Sequence, residues 1–187
     1  MARVLVPLAD GFEEIEAVTI IDLLRRAGIE VTVAALAGSE VRGSHDIRLQ
    51  ADTTLAAVSG EFDMIVLPGG MPGAANLEND PRVIERLRRM AADGRYVAAI
   101  CAAPRVLARA GVLEGRNATS FPGFLDAHNA PRTTLTDAPV VVDGKIVTSR
   151  GAGTAMDFGL ELIGLLLGSE ARVQVESRLQ RPRQGSF

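Results

Sequence analysis

A chain of 187 residues, 47% apolar and 23% charged, is long enough for one well-buried domain, short for two, and too apolar for a disordered chain. Its formal net charge of −3 gives no basic face of the kind a nucleic-acid partner requires. With one cysteine, Cys101, there is no internal disulfide, which predicts a reducing, cytoplasmic setting.

The chain opens on "RVLVPLA", a continuous apolar run that reads as a strand buried on both faces. It meets Asp10 too soon for a signal peptide or a membrane span. "DGFEEIEAVTIIDLLRRAG" reads as a helix, with Asp10 and Glu13 as a capping box and Gly28 as the stop. "IEVTVAAL" is a second strand, and residues 38–50 read as a hairpin-like excursion. "DMIVLPGGMPGAAN" is a strand entering a glycine-rich loop. "DPRVIERLRRMAADG" is an amphipathic helix with Pro81 in its first turn. "YVAAI" is a buried strand that stops at Cys101, and "PRVLARAG" is a short helix. "PVVVDGKIVTSRG" forms a hairpin around Asp143 and Gly144, and "TAMDFGLELIGLLLG" and "EARVQVESRL" are closing helices. The tail from about residue 180 reads as frayed. Strands alternating with helices predict an α/β fold, a parallel sheet covered on both faces, in a single domain spanning 1–187.

In such a sheet, ligands bind at the carboxyl ends of the strands. Three loops fall there: "ADGFEE", "PGGMPG" and "CAAP". Cys101 is either a small buried hydrophobe or a nucleophile. At a strand-to-helix junction the following helix N-terminus favours a thiolate, so the expectation is a lowered pKa. Glu16 falls inside the apolar arc of its helix, beside Leu23 and Ala27. It is either a carboxylate snorkelling at the rim or a partly buried carboxyl with a raised pKa, able to shuttle a proton. Glu13 and Glu14 complement the helix dipole. Gly69 and Gly70 form either a turn needing positive φ or a nest of N–H donors for an oxyanion. Thr154 with Asp157 reads as a capping box after Gly151. No dinucleotide fingerprint, P-loop or zinc pattern is present, and His45 and His128 stand outside every motif.

"GFEEIEAV", "DLLRRAGIEVTVA", "IVLPGGMPGA", "AAICAAP" and "TSRGAGTAMDFGLELI" together resemble the ThiJ/PfpI superfamily, nearest its DJ-one and YajL-like branch, over about residues 1–180. The resemblance implies a flavodoxin-like sandwich and a homodimer. The apolar girth of the first helix points to a dimer independently. It implies Cys101 as the reactive cysteine, Glu16 as a protonated glutamate, and the backbone of Gly69, Gly70 and Ala102 as oxyanion donors. The histidine that follows the cysteine in the protease-like branch is Ala102 here, which argues against peptidase activity. Where some relatives bring a histidine to the site this chain has Arg132; its neighbour His128 is either a substitute or an exposed loop histidine, and Gly151 is a candidate for the pocket wall. His45 stands where some relatives carry an arginine near the dimer interface. The implied activity is cofactor-independent and metal-free: methylglyoxal or glyoxal to lactate or glycolate, with removal of early glycation adducts and protection against oxidative stress. The alternative is a redox sensor or stress chaperone signalling through Cys101. A thiamine-biosynthesis role, attached to the family by an old label, finds no phosphate-binding motif.

Overall fold

The computed structural model describes residues 1–181. In chain order the elements are β1 (Arg3–Leu8), α1 (Glu14–Arg26), β2 (Glu30–Ala35), β3 (Glu40–Arg42), β4 (Arg48–Gln50), β5 (Thr53–Thr54), β6 (Met64–Leu67), α2 (Gly73–Asn79), α3 (Pro81–Ala92), β7 (Tyr96–Ile100), α4 (Pro104–Ala110), β8 (Asn117–Ala118), β9 (Thr134–Leu135), β10 (Val140–Asp143), β11 (Ile146–Ser149), α5 (Ala155–Leu167) and α6 (Ser169–Ser177).

Seven strands form the main sheet in the order β10-β11-β7-β6-β1-β2-β5. All its pairs are parallel except β10–β11, the hairpin that turns at Asp143 and Gly144. Taken alone, β2-β1-β6-β7-β11 is the flavodoxin-like order. The apolar runs of the sequence are the central strands because a parallel sheet is covered twice. Val4, Val6 and Leu8 of β1 face one core with Ile20 and Leu24 of α1 and Phe158 of α5. Leu5 faces the other with Leu87 of α3 and Val106 of α4. Each such side chain contributes about 1.5–3 kcal/mol when taken out of water. The order reverses between β1 and β6: from β1 the chain moves outward to β2, while β6 lies on its other side. That switch opens a crevice at the strands' carboxyl ends.

Helix α1 starts later than the sequence pattern predicts. Asp10 is not its cap: its Oδ1 accepts from the Arg42 N–H at 2.9 Å, and Glu13 stands at the N-cap without a side-chain cap bond. Thr154 and Asp157 form no capping box on α5. Thr154 Oγ1 instead contacts Ser149 Oγ at 2.7 Å and accepts from the Gly151 N–H at 3.1 Å, while Asp157 pairs with Arg181 at 2.6 Å. That pair, with Glu176 on Arg181 at 3.1 Å, ties down the first residues of the expected frayed tail; residues 182–187 lie outside the described residues. No helix among the described residues is long and apolar enough to cross a membrane.

Candidate active site

Three chain segments meet at the switch point. Behind β1, the loop through Phe12 leads into α1, which carries Glu16 in its first turn. Behind β6 comes the Pro68–Gly70 turn. Cys101 directly follows β7. Glu16 is completely buried. Its Oε2 accepts from the Gly69 N–H at 2.7 Å, and its Oε1 is buried without a partner. Of the two readings left by the sequence, the snorkelling carboxylate is therefore excluded.

Cys101 is half-buried and adopts φ +62°, the left-handed region that a non-glycine residue enters at a cost of about 1–3 kcal/mol. Two backbone bonds hold it there: its N–H donates to Ser149 O, and its carbonyl accepts from the Phe121 N–H, both at 2.9 Å. The backbone N–H groups of Gly70 and Ala102 face its sulfur. Gly69 admits no side chain. A Cβ there would lie 2.8 Å from Cys101 Cβ, 2.8 Å from Glu16 Oε2 and 2.9 Å from the Ala102 nitrogen. Gly70, at φ +89°, is equally enclosed: a Cβ there would fall 2.3 Å from the Glu13 nitrogen. Close approach requires glycine at position 69, and close approach together with positive φ requires it at position 70.

Gly69 departs from the expected oxyanion donor, because its N–H is engaged by Glu16. Gly70 and Ala102 are the donors that face the sulfur. Arg132 is turned to solvent and paired with Glu114. His128 is exposed in a turn where its N–H donates to Asp126 Oδ1 at 2.8 Å. Neither residue makes a hydrogen bond or ion pair with the site among the described residues. Gly151 is buried close by, with Phe121 Cδ2 only 3.4 Å from where its Cβ would be. Phe121, half exposed and bonded to the Cys101 carbonyl, had no signal in the sequence beyond being an aromatic in a loop.

The electrostatics couple the two side chains. Burial raises the Glu16 carboxyl to about 7; the Glu13 charge adds to this, against the Gly69 N–H and the contact with Cys101. Burial also pushes the Cys101 thiol up to about 12, with the charge and contact of Glu16 adding to it and the Ala102 and Gly70 N–H groups opposing. This corrects the expectation of a thiol lowered by the helix dipole. Helix α4 begins only at Pro104, and the dipole fades within a turn. The upward push from Glu16 belongs to its ionised form. A proton on Glu16 removes it and leaves the two N–H donors acting against burial alone. The groups therefore titrate as a pair.

Beside them, Glu14 is buried and accepts from the His45 N–H at 2.6 Å and from His45 Nδ1 at 2.9 Å. Burial would raise its pKa, but the bonds to the His45 side chain and to the backbone of Glu14, His45 and Ile47 lower it to about 2. Glu13, Glu14 and His45 place ligand atoms within 4.8 Å of one another, the one group among the described residues arranged as metal ligands could be.

The family model for the DJ-1/PfpI family matches residues 2–165. The chain belongs to the DJ-1/PfpI family. It is 44% identical to protein dj-1beta of Drosophila melanogaster over 177 residues, 94% of this chain and 95% of that protein. It is 43% identical to protein DJ-1 homolog B of Arabidopsis thaliana over 98% of its own length, but spans only 42% of that relative, which is thus more than twice as long. Against a protein named a deglycase in Pyrococcus abyssi it is 36% identical, covering 88% of this chain and 99% of that one. The crystal structure of Drosophila DJ-1beta superposes with a TM-score of 0.92 over 97% of this chain and 99% of that one, at 41% identity. A structure of oxidized Toxoplasma gondii DJ-1 gives 0.92 at 40% identity, covering 98% and 100%. DJ-1/PfpI membership and the flavodoxin-like fold thus bear out the sequence reading.

Proposed function

We propose that this DJ-1/PfpI protein is a cofactor-independent, cysteine-dependent enzyme that protects the cell against reactive dicarbonyls, as a deglycase and as a glyoxalase III-type lyase. The observation that carries the reading is the fully buried Glu16, one oxygen held by Gly69 and the other unpartnered, coupled to Cys101. The deglycase named in Pyrococcus abyssi supports the coarser activity.

The chemistry follows from the pair. As sulfur attacks the aldehyde carbon of methylglyoxal, the thiol proton passes to the Glu16 carboxylate. The carbonyl oxygen becomes an oxyanion between the Gly70 and Ala102 N–H groups. Its protonation gives a hemithioacetal. Glu16, ionised again, removes the hydrogen on that carbon and returns a proton to the neighbouring one through an enediol, leaving a lactoyl thioester. Water cleaves the thioester to lactate and restores the thiol. The oxidation of one carbon balances the reduction of the next, so no external redox partner enters. A cytoplasmic setting fits a chain with one free thiol, and a homodimer fits the exposed Ile15 and Val18 on α1.

The second reading, a redox sensor, draws on the same unpartnered Oε1, which when protonated offers a hydrogen bond to an oxidised sulfur. Turnover separates the two. Lactate formed from methylglyoxal without added thiol should exceed one equivalent per chain many times over. Cys101→Ser should lower that rate by about a hundredfold or more. No lactate from the wild type, or equal lactate from both, contradicts the enzyme reading.

A further inference from the structure

At the edge of the sheet opposite Cys101 lies a cavity of about 430 Å³, lined by Gly60, Glu61, Phe62, Arg86, Arg89, Met90, Asp93 and Arg95. The length of β7 separates the two ends by about 16 Å. Three of the lining side chains are guanidinium groups, and they differ in how they are neutralised. Arg95 is saturated, with Asp63 at 3.0 Å and Glu61 at 3.3 Å. Elsewhere on α3, Arg82 pairs with Asp80, and Arg88 Nε donates to Ala110 O at 3.0 Å. Arg86 and Arg89 have no carboxylate within ion-pair distance among the described residues, although Glu61, Asp93 and the helix neighbour Glu85 are near in the chain or cavity. They sit one turn apart on the same helix, where like charges repel. Burial, and then the charge of Arg89, weaken the hold of Arg86 on its proton.

A like-charged pair left unneutralised at a cavity is a site waiting for an anion. Two guanidinium groups match a dianion, and their planar forks suit phosphoryl oxygens. The volume falls in the range of small-molecule sites, about 300–1,000 Å³, and exceeds what a bare phosphate fills. Phe62 and Met90 close the floor of the cavity from the core, both 5% exposed, with the Arg3 guanidinium 4.8 Å from the Phe62 ring centroid. We propose that this cavity is a binding site for small phosphomonoesters, the phosphoryl group held by Arg86 and Arg89 and the organic part filling the rest of its volume. The site is independent of the Cys101–Glu16 chemistry.

Isothermal titration of the full chain with phenyl phosphate, inorganic phosphate and benzoate tests this. Phenyl phosphate should bind wild type and Cys101→Ser alike, and more tightly than either of the other two. Arg86→Gln with Arg89→Gln should weaken it by about tenfold or more, the worth of a charge-assisted hydrogen bond. Thermal unfolding of the double variant should be no lower than wild type, since it relieves a repulsion. Should the double variant fold poorly, Arg89→Gln alone, at an exposed helix position, carries the same expected sign. Absence of saturable binding, or an affinity indifferent to the arginine substitutions, overturns the proposal. Equal affinity for benzoate overturns the phosphoryl assignment, and equal affinity for inorganic phosphate overturns the organic body.

Discussion

Glu16 puts a destabilising charge at the centre of the fold. Its carboxyl is ordinary in the unfolded chain, at 4.5, and raised to about 7 in the native one. Below 4.5 both states are protonated and nothing is lost. As pH rises from 4.5 through about 7 the native state holds its proton longer than the unfolded state, so stability falls, by about 3 kcal/mol in all. Glu16→Gln should therefore be more stable than wild type at pH 8 and nearly equal to it at pH 4.5, as urea unfolding at the two pH values would show. A variant destabilised at pH 8 would contradict the burial cost. The position of Glu16 was legible in the sequence because the apolar arc of the helix surrounds it. Its partner was not: nothing in "PGG" says that the Gly69 N–H turns to Glu16 rather than to the substrate. The direction of the Cys101 shift was likewise hidden, since it depends on burial and on a charge 85 positions away in the chain.

At the scale of elements, Glu14 clips the β3–β4 hairpin to α1. The sequence assigned it to the helix dipole, yet it is 5% exposed and receives the His45 backbone and ring. Gly43 makes room for it: a Cβ there would fall 2.2 Å from Glu14 Oε1. Glu14→Ala should lower stability at pH 7 by about 1–3 kcal/mol, the scale of leaving a polar group without its partner. The Glu14 pKa is depressed, so its stabilisation is present above 4.5 and fades as pH falls towards about 2. The wild-type advantage in thermal unfolding should shrink accordingly between pH 5 and pH 3; an advantage constant with pH would contradict the clip. Long periodic elements such as α3 and the apolar strands were readable because burial writes their pattern. Helix α2, "GAANLEN", was not, because seven short residues beside a glycine loop carry no full amphipathic repeat. The two-residue strands β5, β8 and β9 exist only through their partners.

For the whole molecule, the sheet order places three loops distant in sequence at one crevice, and the outer face of α1 remains unpaired. Ile15 is 59% exposed and Val18 44%. Beside Val18, a cavity of about 240 Å³ runs along Ile21, Val33 and Leu49. The proposed homodimer would cover this face with a second copy of the chain. Sedimentation at micromolar concentration should give twice the chain mass for wild type and a monomer for Val18→Glu, which introduces a charge that the interface cannot solvate. A wild-type monomer contradicts the dimer. The strand ends that form the crevice were predictable from alternating strands and helices; the unpaired face followed from the girth of α1 alone.

The account rests on Glu16 and Cys101 sharing one proton at neutral pH. Iodoacetamide alkylation of Cys101 against pH tests it most directly. In the wild type, reactivity should rise with a midpoint near 7, as the pair loses its first proton, and then level off, because the second proton is held to about 12. In Glu16→Gln the plateau should vanish and the thiol should titrate alone, still rising above the ordinary thiol value of about 8.5. A wild-type curve centred near 8.5 and unchanged by Glu16→Gln would contradict the account and leave Cys101 a partly buried thiol with no coupled partner.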